Sequence, residues 1–334
     1  MKRVSITEQD IGSADSIIKE AAEWIRRGEL VAFPTETVYG LGANALDDSA
    51  VQKIFVAKGR PSDNPLIVHI AHQDQLLSLV ADIPPVAQQL ITAFWPGPLT
   101  LVFHKSHLVP DSVTAGGQTV AIRMPDHPIA QQLIKKSGVP IAAPSANSSG
   151  RPSPTQAEHV QQDLKENNIF LIDAGSTQVG LESTVLDISE STPVLLRSGG
   201  VSLEEIENVI GKIVTSTETL TNQASIAKSP GLKYRHYAPK AKVLIAEAKD
   251  FLEIISKYPE KKIACITLQR DMLSKEKNIS IVPMHSVAEM AQHLFSIFRE
   301  CDEKGTEIIL VESVPPIGIG RALMNRVERA SQPH

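Results

Sequence analysis

Residues 58–70 read Lys-Gly-Arg-Pro-Ser-Asp-Asn-Pro-Leu-Ile-Val-His-Ile, a polar loop that runs directly into an apolar segment. Pro61 and Pro65 fix the backbone angle φ and exclude an ordinary helix or central strand, so the polar part is predicted to be a rigid loop. Lys58 and Arg60 would project to the same side of an extended segment. A cationic loop that enters a buried strand is typical of ligand contacts in α/β proteins. The alternative is a solvated surface loop with two ordinary charges.

Strand and helix patterns alternate on both sides of this loop. Strand candidates in the first two thirds of the chain are residues 30–33, 66–70, 99–103, 119–124, 139–143, 170–173, 184–188 and 194–196. Helical patterns cover residues 13–27, 49–57, 86–94, 128–136, 155–165 and 203–210. This alternation predicts an α/β sheet.

The length and a change in composition indicate more than one domain. The chain has 334 residues, more than one core usually supports. Residues 211–228 are rich in Thr, Ser, Asn and Glu and lack apolar periodicity, which indicates a boundary. Strand patterns and a capping box of Ser286 and Glu289 follow, and they predict a smaller α/β domain. We therefore divide the chain into a first domain, a linker and a C-terminal domain, at residues 1–211, 212–240 and 241–334.

The overall composition is that of an ordinary soluble globular protein. Apolar residues make up 42% and charged residues 21%, and the net charge is -5. This charge argues against a protein that coats nucleic acid, although it permits a local basic cleft. Cys265 and Cys301 show no metal-ligand spacing, so we expect buried thiols in a reducing compartment. No segment approaches the roughly 20 apolar residues of a membrane span, so we expect no membrane contact and a cytoplasmic location.

Four further segments are polar where core segments should not be, namely residues 34–42, 119–125, 142–153 and 180–184 together with 196–200. Residues 40–45, Gly-Leu-Gly-Ala-Asn-Ala, superficially mimic a dinucleotide fingerprint, but they follow a polar loop, so we interpret them as a turn. Arg123 interrupts an apolar strand and needs an anionic partner. A structural salt bridge and a ligand carboxylate explain it equally well.

Residues 142–153 carry hydroxyls and backbone donors that could cradle phosphate oxygens, although the chain has no GxxxxGK[ST] motif. Arg197 precedes a glycine turn and is either a phosphate contact or an exposed cation. His69, taken alone, is more typical of a core histidine. Ser145 lacks the glycines of a nucleophile elbow, which disfavours a serine hydrolase. The ten histidines show no metal-binding spacing, so no metal site is expected, while Mg²⁺ carried by a nucleotide is left open.

The whole chain resembles the threonylcarbamoyl-AMP synthase family, in the long form that joins a YrdC-like domain through a linker to a small C-terminal domain. The resemblance rests on five motifs in the family's order: PTETVYG at 34–40, KGRPSDNPL at 58–66, FWPGPLT at 94–100, APSAN at 143–147 and SPGLKYRHYAP at 229–239. It implies an α/β fold with a YrdC-like twisted open mixed sheet and flanking helices, plus a smaller Rossmann-like α/β C-terminal domain.

The resemblance also implies an activity. L-threonine, bicarbonate and ATP, the latter with Mg²⁺, would give L-threonylcarbamoyladenylate and pyrophosphate, so the enzyme is a nucleotidyltransferase. The product supplies N6-threonylcarbamoyladenosine in tRNA, which implies downstream tRNA threonylcarbamoyl transferase proteins as partners and leaves weak tRNA binding open. The linker would act as a lid that excludes water, with a basic interdomain tether as the alternative.

The family's site residues map onto this sequence position by position. The L-threonine site would comprise Thr37, His69, Arg123, the backbone at Ala143, and Ser183. The ATP site would comprise Arg60, Asn64, Thr119, Ser145, Ser153, Arg197 and Tyr237. Lys58 and Arg60 are the predicted catalytic residues, because they would neutralise the triphosphate and the transition state. Arg123 would hold the amino acid's carboxylate, and whether His69 is a base or a hydrogen-bond donor is left open.

Two other functions remain as alternatives. Carbamoyl transfer in hydrogenase maturation uses a similar domain, but there it accompanies zinc-binding cysteine pairs and an acylphosphatase-like segment, and this chain has neither. An RNA-binding or ribosome-assembly module could use the same basic cleft, and its binding would then depend strongly on salt.

Overall fold

The computed structural model describes residues 1–6, 14–215, 237–269 and 278–332, and every structural statement below refers to these. The strands are β1 (Lys2–Ser5), β2 (Leu30–Phe33), β3 (Gly40–Asn44), β4 (Ile67–His69), β5 (Leu99–His104), β6 (Thr119–Arg123), β7 (Ile141–Ala142), β8 (Ile169–Asp173), β9 (Thr184–Asp187), β10 (Val194–Arg197), β11 (Val214–Thr215), β12 (Lys242–Ala246), β13 (Ile263–Thr267), β14 (Ile279–Pro283) and β15 (Ile308–Glu312).

The helices alternate with these strands. They are α1 (Asp15–Arg26), α2 (Asp48–Lys58), α3 (Gln73–Leu79), α4 (Pro85–Phe94), α5 (Asp111–Thr114), α6 (Pro128–Ser137), α7 (Ala157–Leu164), α8 (Leu203–Ile210), α9 (Phe251–Ser256), α10 (Val287–Glu303) and α11 (Ile319–Ser331).

The first domain is built on a mixed sheet with the strand order β1-β8-β2-β3-β7-β4-β6-β5-β9-β10-β11. Its edge strand β11 pairs with β10 although it lies within the predicted linker, so this sheet extends past the expected boundary at residue 211. For example, β4 runs parallel to β6 and antiparallel to β7. Helices α1 and α6 pack on one face through side chains such as Ile18 and Leu133, and α2 and α4 contribute Ile54 and Leu90 to the core of the other face. The predicted α/β class with a large mixed sheet is confirmed.

Helix α2 and its end position the loop at residues 59–65. The Asp47 side chain accepts hydrogen bonds from two backbone N–H groups at the start of α2. Gly59 ends the helix in the left-handed region, with φ of 59°. Lys58 is therefore the last helical residue, and the expectation that Lys58 and Arg60 share one side of an extended segment is wrong. The glycine ends the helix before the prolines begin.

The glycine-rich run at Gly40–Asn44 is strand β3, so its interpretation as a turn is wrong. It pairs antiparallel with β2 and with β7. A Cβ added at Gly42 would lie 2.7 Å from the side chains of Phe33 and Ile141. The glycine therefore serves close packing of neighbours within a sheet.

The C-terminal domain is built on four parallel strands in the order β12-β15-β13-β14. Ser286 caps α10 as predicted, since its hydroxyl accepts a hydrogen bond from the Glu289 backbone N–H at 3.1 Å. Cys265 and Cys301 are both buried and free, as expected. None of the helices in the described part of the chain is long and apolar enough to cross a membrane.

The two domains share an apolar interface. Val38 and Leu181 of the first domain belong to the same buried cluster as Phe295 of α10 and Leu323 of α11. Gly180 lies so close to α10 that an added Cβ would be 2.1 Å from the carbonyl oxygen of Gln292. Segment 180–183 is thus held by the C-terminal domain on one side, while its Ser183 lies in a cleft of the first domain.

Candidate active site

A polar cleft lies where several strands of the large sheet end. Strand β4 brings His69, β6 brings Arg123 and β10 brings Arg197, and the loop after β7 closes the cleft from another side. The lining residues are Thr35, Thr37, Val38, Gly40, Arg60, Ile67, His69, Arg123, Ala143, Pro144, Ser145, Asn147, Arg151, Ser153, Glu182, Ser183, Arg197 and Tyr237.

One side of the cleft, here called the Arg123 side, is formed by Thr37, His69 and Arg123. The Arg123 guanidinium is buried and donates from Nε to the Gly97 carbonyl at 3.2 Å and from one terminal nitrogen to Thr37 Oγ1 at 2.9 Å. Its other terminal nitrogen lies 2.6 Å from a Glu36 carboxylate oxygen. The two groups are close but do not form a hydrogen bond: neither Glu36 oxygen nor this nitrogen of Arg123 has a hydrogen-bond partner. A structural ion pair therefore exists at Arg123, and it leaves directed donor capacity for a second carboxylate.

His69 on this side is a neutral imidazole. Burial, and secondarily the charge of Arg123, lowers the pKa of His69 to about 3. Its Nδ1 is buried without a hydrogen-bond partner, and its ring packs edge-on against Phe33. The geometry therefore gives His69 a hydrogen bond to offer to a ligand rather than a positive charge.

The other side, here called the Arg60 side, contains Arg60, Ser153, Arg197 and Tyr237. Arg60 donates from one terminal nitrogen to the carbonyls of Asn64 and Pro65 at 3.3 and 3.2 Å, while its Nε is buried and unpaired. Burial lowers the pKa of Arg60 to about 10, so it remains a cation at neutral pH. A buried unpaired donor next to a cleft is a mark of a ligand contact.

Arg197 is held by Ser183, which belongs to the segment 180–183 that also contacts the C-terminal domain. It donates from Nε and from a terminal nitrogen to the Ser183 carbonyl at 3.1 and 3.0 Å, and also to Ser183 Oγ at 3.2 Å. Ser183 Oγ lies 2.8 Å from Thr100 Oγ1. Because Thr100 of β5 stands opposite Arg123 of β6, Ser183 connects the two sides of the cleft.

The loop of residues 143–153 is anchored by buried charges. Asp163 accepts hydrogen bonds from the Ser148 backbone N–H at 3.1 Å and from Arg299 of α10, and it pairs with Arg151. Arg299 is fully buried and also donates to the Pro152 carbonyl. The C-terminal domain thus holds the loop that carries two predicted ATP contacts.

Lys58 does not line the cleft. Its ammonium is buried and donates to the carbonyls of Ser145 and Asn147. Burial, together with the charge of Arg60, lowers the pKa of Lys58 well below its usual value. The geometry makes Lys58 an anchor of the 143–153 loop, in place of the direct triphosphate contact expected from the sequence.

Most of the predicted site residues come together in this cleft. Those that line it are Thr37, Arg60, His69, Arg123, Ala143, Ser145, Ser153, Ser183, Arg197 and Tyr237. The Ala143 backbone N–H is taken by the Ile67 carbonyl at 2.9 Å. Asn64 is buried behind the lining with both amide atoms unpaired. Thr119 begins β6, roughly 13 Å along the strand from Arg123, and its ATP contact stays a prediction.

Sequence reasoning missed Glu36, Arg151 and Glu182. Glu182 is buried, lines the cleft and accepts a hydrogen bond from the Ser153 hydroxyl. The sequence does contain one signal for Glu182: it is a carboxylate between Leu181 and Ser183, in a segment that the sequence analysis singles out as polar. Its partner, Arg326, is 144 residues away and leaves no local trace.

The carboxylates at the cleft already have cationic partners. Glu36 pairs with Arg123, and Glu182 pairs with Arg326. The described residues contain no group of three or more His, Cys, Asp or Glu side chains placed to hold a metal ion. The Mg²⁺ ion that the sequence analysis expects together with ATP stays a prediction.

Sequence profiles of two families match the chain. Residues 23–199 match the Sua5/YciO/YrdC family, described as telomere recombination, and residues 201–332 match the family described as the threonylcarbamoyl-AMP synthase C-terminal domain. The two matches are consecutive and together span most of the chain.

Curated relatives and a solved structure agree with these profiles. The chain is 50% identical to the threonylcarbamoyl-AMP synthase of Pyrococcus abyssi, with 94% of each chain covered. It is 46% identical to that of Bacillus subtilis, over 98% of this chain and 96% of the relative. The crystal structure of P. abyssi Sua5 complexed with L-threonine superposes with a TM-score of 0.92 at 48% identity, covering 99% of this chain and 98% of that one. The chain therefore belongs to the threonylcarbamoyl-AMP synthase family, in its two-domain form.

Proposed function

We propose that this protein synthesises L-threonylcarbamoyl-AMP from L-threonine, bicarbonate and ATP and releases pyrophosphate. One observation carries the proposal. A single cleft joins Arg123, which suits a carboxylate, to Arg60 and Arg197, which suit phosphates. An enzyme that links an amino acid to a nucleotide needs both kinds of contact within one site.

The reaction needs two bond-forming steps. The unprotonated threonine amine attacks the carbon of bicarbonate, whose C–OH bond breaks so that hydroxide leaves as water with an amine proton, or the carbon of carbon dioxide, whose C=O π bond opens while the amine proton passes to solvent; either route gives a carbamate. A carbamate oxygen then attacks the α-phosphorus of ATP, and the bond to the leaving pyrophosphate breaks. Negative charge accumulates around phosphorus, so catalysis consists mainly of positioning and of electrostatic stabilisation.

On the Arg123 side, the threonine carboxylate would take the donor positions of Arg123, and Thr37 would hold the guanidinium in place. His69 would orient the substrate through a hydrogen bond. With its pKa lowered to about 3 by burial and by Arg123, it is a weak acceptor for a proton from the ammonium group at neutral pH. This favours the donor role over the role of a base.

On the Arg60 side, Arg60 and Arg197 would neutralise the triphosphate, with hydroxyls of Ser145 and Ser153 as further contacts. Mg²⁺ bound to the nucleotide would supply additional charge neutralisation.

Most of the predicted lid, residues 216–236, lies outside the described residues. The described end of the linker reaches this side, since the Ala238 N–H donates to the Gly150 carbonyl at 3.0 Å. The product would be passed in the cytoplasm to enzymes that modify tRNA.

The decisive assay measures pyrophosphate release from ATP by the purified full chain. We expect release that requires L-threonine and bicarbonate together and a nucleotide product heavier than AMP by the threonylcarbamoyl group in mass spectrometry. Omission of either substrate should abolish this product. Absence of any dependence of pyrophosphate release on threonine and bicarbonate, together with tight, salt-sensitive RNA binding, would favour the RNA-binding alternative.

A further inference from the structure

Arg326 is a fully buried arginine on α11, the last helix of the C-terminal domain, and the proposed reaction does not use it. Its Nε donates to Glu182 Oε2 at 2.7 Å, and a terminal nitrogen donates to the Ser198 carbonyl at 3.0 Å. The guanidinium also lies 5.1 Å from the centre of the Tyr237 ring. One side chain of the C-terminal domain therefore contacts two first-domain segments and the end of the linker.

Glu182 transmits this contact to the cleft. It lines the cleft and accepts a hydrogen bond from the Ser153 hydroxyl. Burial raises the pKa of Glu182, but the charges of Arg326 and Arg197 outweigh burial, so its pKa lies below the usual value. The carboxylate therefore stays ionised and accepts hydrogen bonds. Without Arg326 it would be a buried anion that has lost its closest counter-ion.

Of the groups that Arg326 reaches, Tyr237 belongs to the Arg60 side of the cleft, Glu182 is hydrogen-bonded to Ser153 of that side, and Ser198 directly follows Arg197. Tyr237 lines the cleft together with Arg60 and Arg197. Its ring also stacks on Phe295 of α10 at 5.4 Å. Within the described part of the chain, the hydrogen bonds of Arg326 go to Glu182, Ser198 and Asn325, and none goes to Arg123 or Thr37.

We propose that Arg326 is a positioning residue for the nucleotide, which acts through Glu182 on the Ser153 hydroxyl and directly on the Tyr237 ring. The C-terminal domain would thereby complete the ATP side of the site while leaving the threonine side to the first domain. This inference rests on the proposed function, since it assumes that a polyphosphate binds between Arg60 and Arg197.

Arg321 provides a matched control for simple domain docking. It lies on the same helix and also pairs with a first-domain carboxylate, Glu204, at 3.0 Å. That pair is 31% and 41% exposed, and neither residue lines the cleft. If Arg326 served only to dock the domains, both arginines would affect the same properties.

The experiment compares Arg326→Met, Arg326→Lys and Arg321→Met in the full chain. KM values for ATP and L-threonine are measured from threonine-dependent pyrophosphate release, and the Kd for ATP is measured by equilibrium binding. Arg326→Met should raise the KM and Kd for ATP at least tenfold and change the KM for threonine less than twofold. Arg326→Lys, which keeps the charge but not the planar fork, should fall between Arg326→Met and wild type. Arg321→Met should match wild type.

Two outcomes would overturn the inference: an ATP Kd within twofold of wild type in Arg326→Met, or equal increases for both substrates. If Arg326→Met does not fold by circular dichroism, the double variant Glu182→Gln/Arg326→Met removes both buried charges. It should fold and keep the raised ATP Kd, and a wild-type ATP Kd in it would contradict the inference. Failure of the proposed function looks different, because the wild-type chain itself would then lack threonine-dependent release.

Discussion

The two sides of the cleft are assembled differently. On the Arg123 side, the guanidinium, its carboxylate Glu36, the hydroxyl of Thr37 and the carbonyl of Gly97 all come from the first domain. On the Arg60 side, the Ser153 hydroxyl donates to Glu182, which pairs with Arg326, the Tyr237 ring contacts Arg326, and the loop before Ser153 contacts Arg299. Both of these arginines belong to the C-terminal domain.

This difference explains what the second domain contributes to the chemistry. A carboxylate needs one well-directed guanidinium, which a strand end can supply. A triphosphate would have to be held over a longer distance, and on the Arg60 side the 143–153 loop and Tyr237 would form part of that surface. Arg299 of the C-terminal domain fixes the 143–153 loop through Asp163 and the Pro152 carbonyl. The predictions below test this division of labour, from the largest expected effect to the smallest.

The largest effect should follow from Arg60→Ala. Loss of this buried cation should lower kcat/KM for threonylcarbamoyl-AMP formation by roughly 10³-fold or more, because charge on the transferring phosphoryl group loses a fixed partner. The KM for threonine should change little if the two sides are independent. Steady-state kinetics of pyrophosphate release measure both values, and circular dichroism checks the fold. Turnover at the wild-type rate would remove the 59–65 loop from the mechanism.

The next effect concerns stability. Arg299→Met leaves the fully buried Asp163 without its two hydrogen bonds from the Arg299 guanidinium. We expect the free energy of unfolding to fall by about 3 kcal/mol, measured by denaturant titration. Arg321→Met breaks a partly exposed pair and should cost less than about 1 kcal/mol. Equal destabilisation of the two variants would show that Asp163 does not depend on Arg299.

Arg123→Met tests the side that the first domain builds alone. We expect the KM for L-threonine to rise about 100-fold, which corresponds to about 2.7 kcal/mol, while the KM for ATP changes less than threefold. This is the reverse of the pattern expected for Arg326→Met. An equal rise in both KM values would mean that the cleft does not divide in the way described.

The smallest effect is a pH dependence of stability. Burial lowers the pKa of His69 to about 3 and of His159 to about 4, from 6.5 in the unfolded chain. Between pH 4 and 6.5 the unfolded state therefore binds more protons, so the contribution of these residues to stability is full above pH 6.5 and is lost as the pH falls. His159→Asn can still accept the Thr155 N–H.

Denaturation midpoints at pH 7 and pH 5 provide the measurement. The wild-type chain should be less stable at pH 5 than at pH 7. His159→Asn should lose less stability over this range because it lacks one proton-binding group. The slopes of the free energy of unfolding against pH should differ by up to about 1.4 kcal/mol per pH unit. An identical loss in both proteins would show that the pKa of His159 is the same in the folded and the unfolded chain.

Patterns of local sequence predicted most of the fold, and the resemblance to a known family supplied most of the cleft residues. Strands such as Leu30–Phe33 and the capped helix at Val287–Glu303 follow from apolar periodicity and from a local cap. The site residues that were found lie in short motifs. By contrast, Gly40–Asn44 was mistaken for a turn, because the reason for its glycines is packing against Phe33 and Ile141, which only the assembled sheet reveals.

The charged residues whose roles differ from the prediction, or were not predicted, share a physical cause. Lys58 looked like a phosphate ligand because its charge is visible in the sequence, whereas the two carbonyls that bind it are 87 and 89 residues away. Arg299 and Arg326 lie on ordinary amphipathic helices and meet their carboxylates only when the domains pack together. Ion pairs between distant segments carry no periodicity, so a sequence can suggest a charged residue but not its partner.

A crystal structure with L-threonine and a non-hydrolysable ATP analogue tests the central claim most directly. We predict the threonine carboxylate on the Arg123 guanidinium, the triphosphate between Arg60 and Arg197, the threonine amine directed toward the α-phosphorus, and no phosphate oxygen within hydrogen-bond distance of the Lys58 ammonium. A triphosphate bound to Arg123 or to Lys58, with threonine outside the cleft, would contradict it.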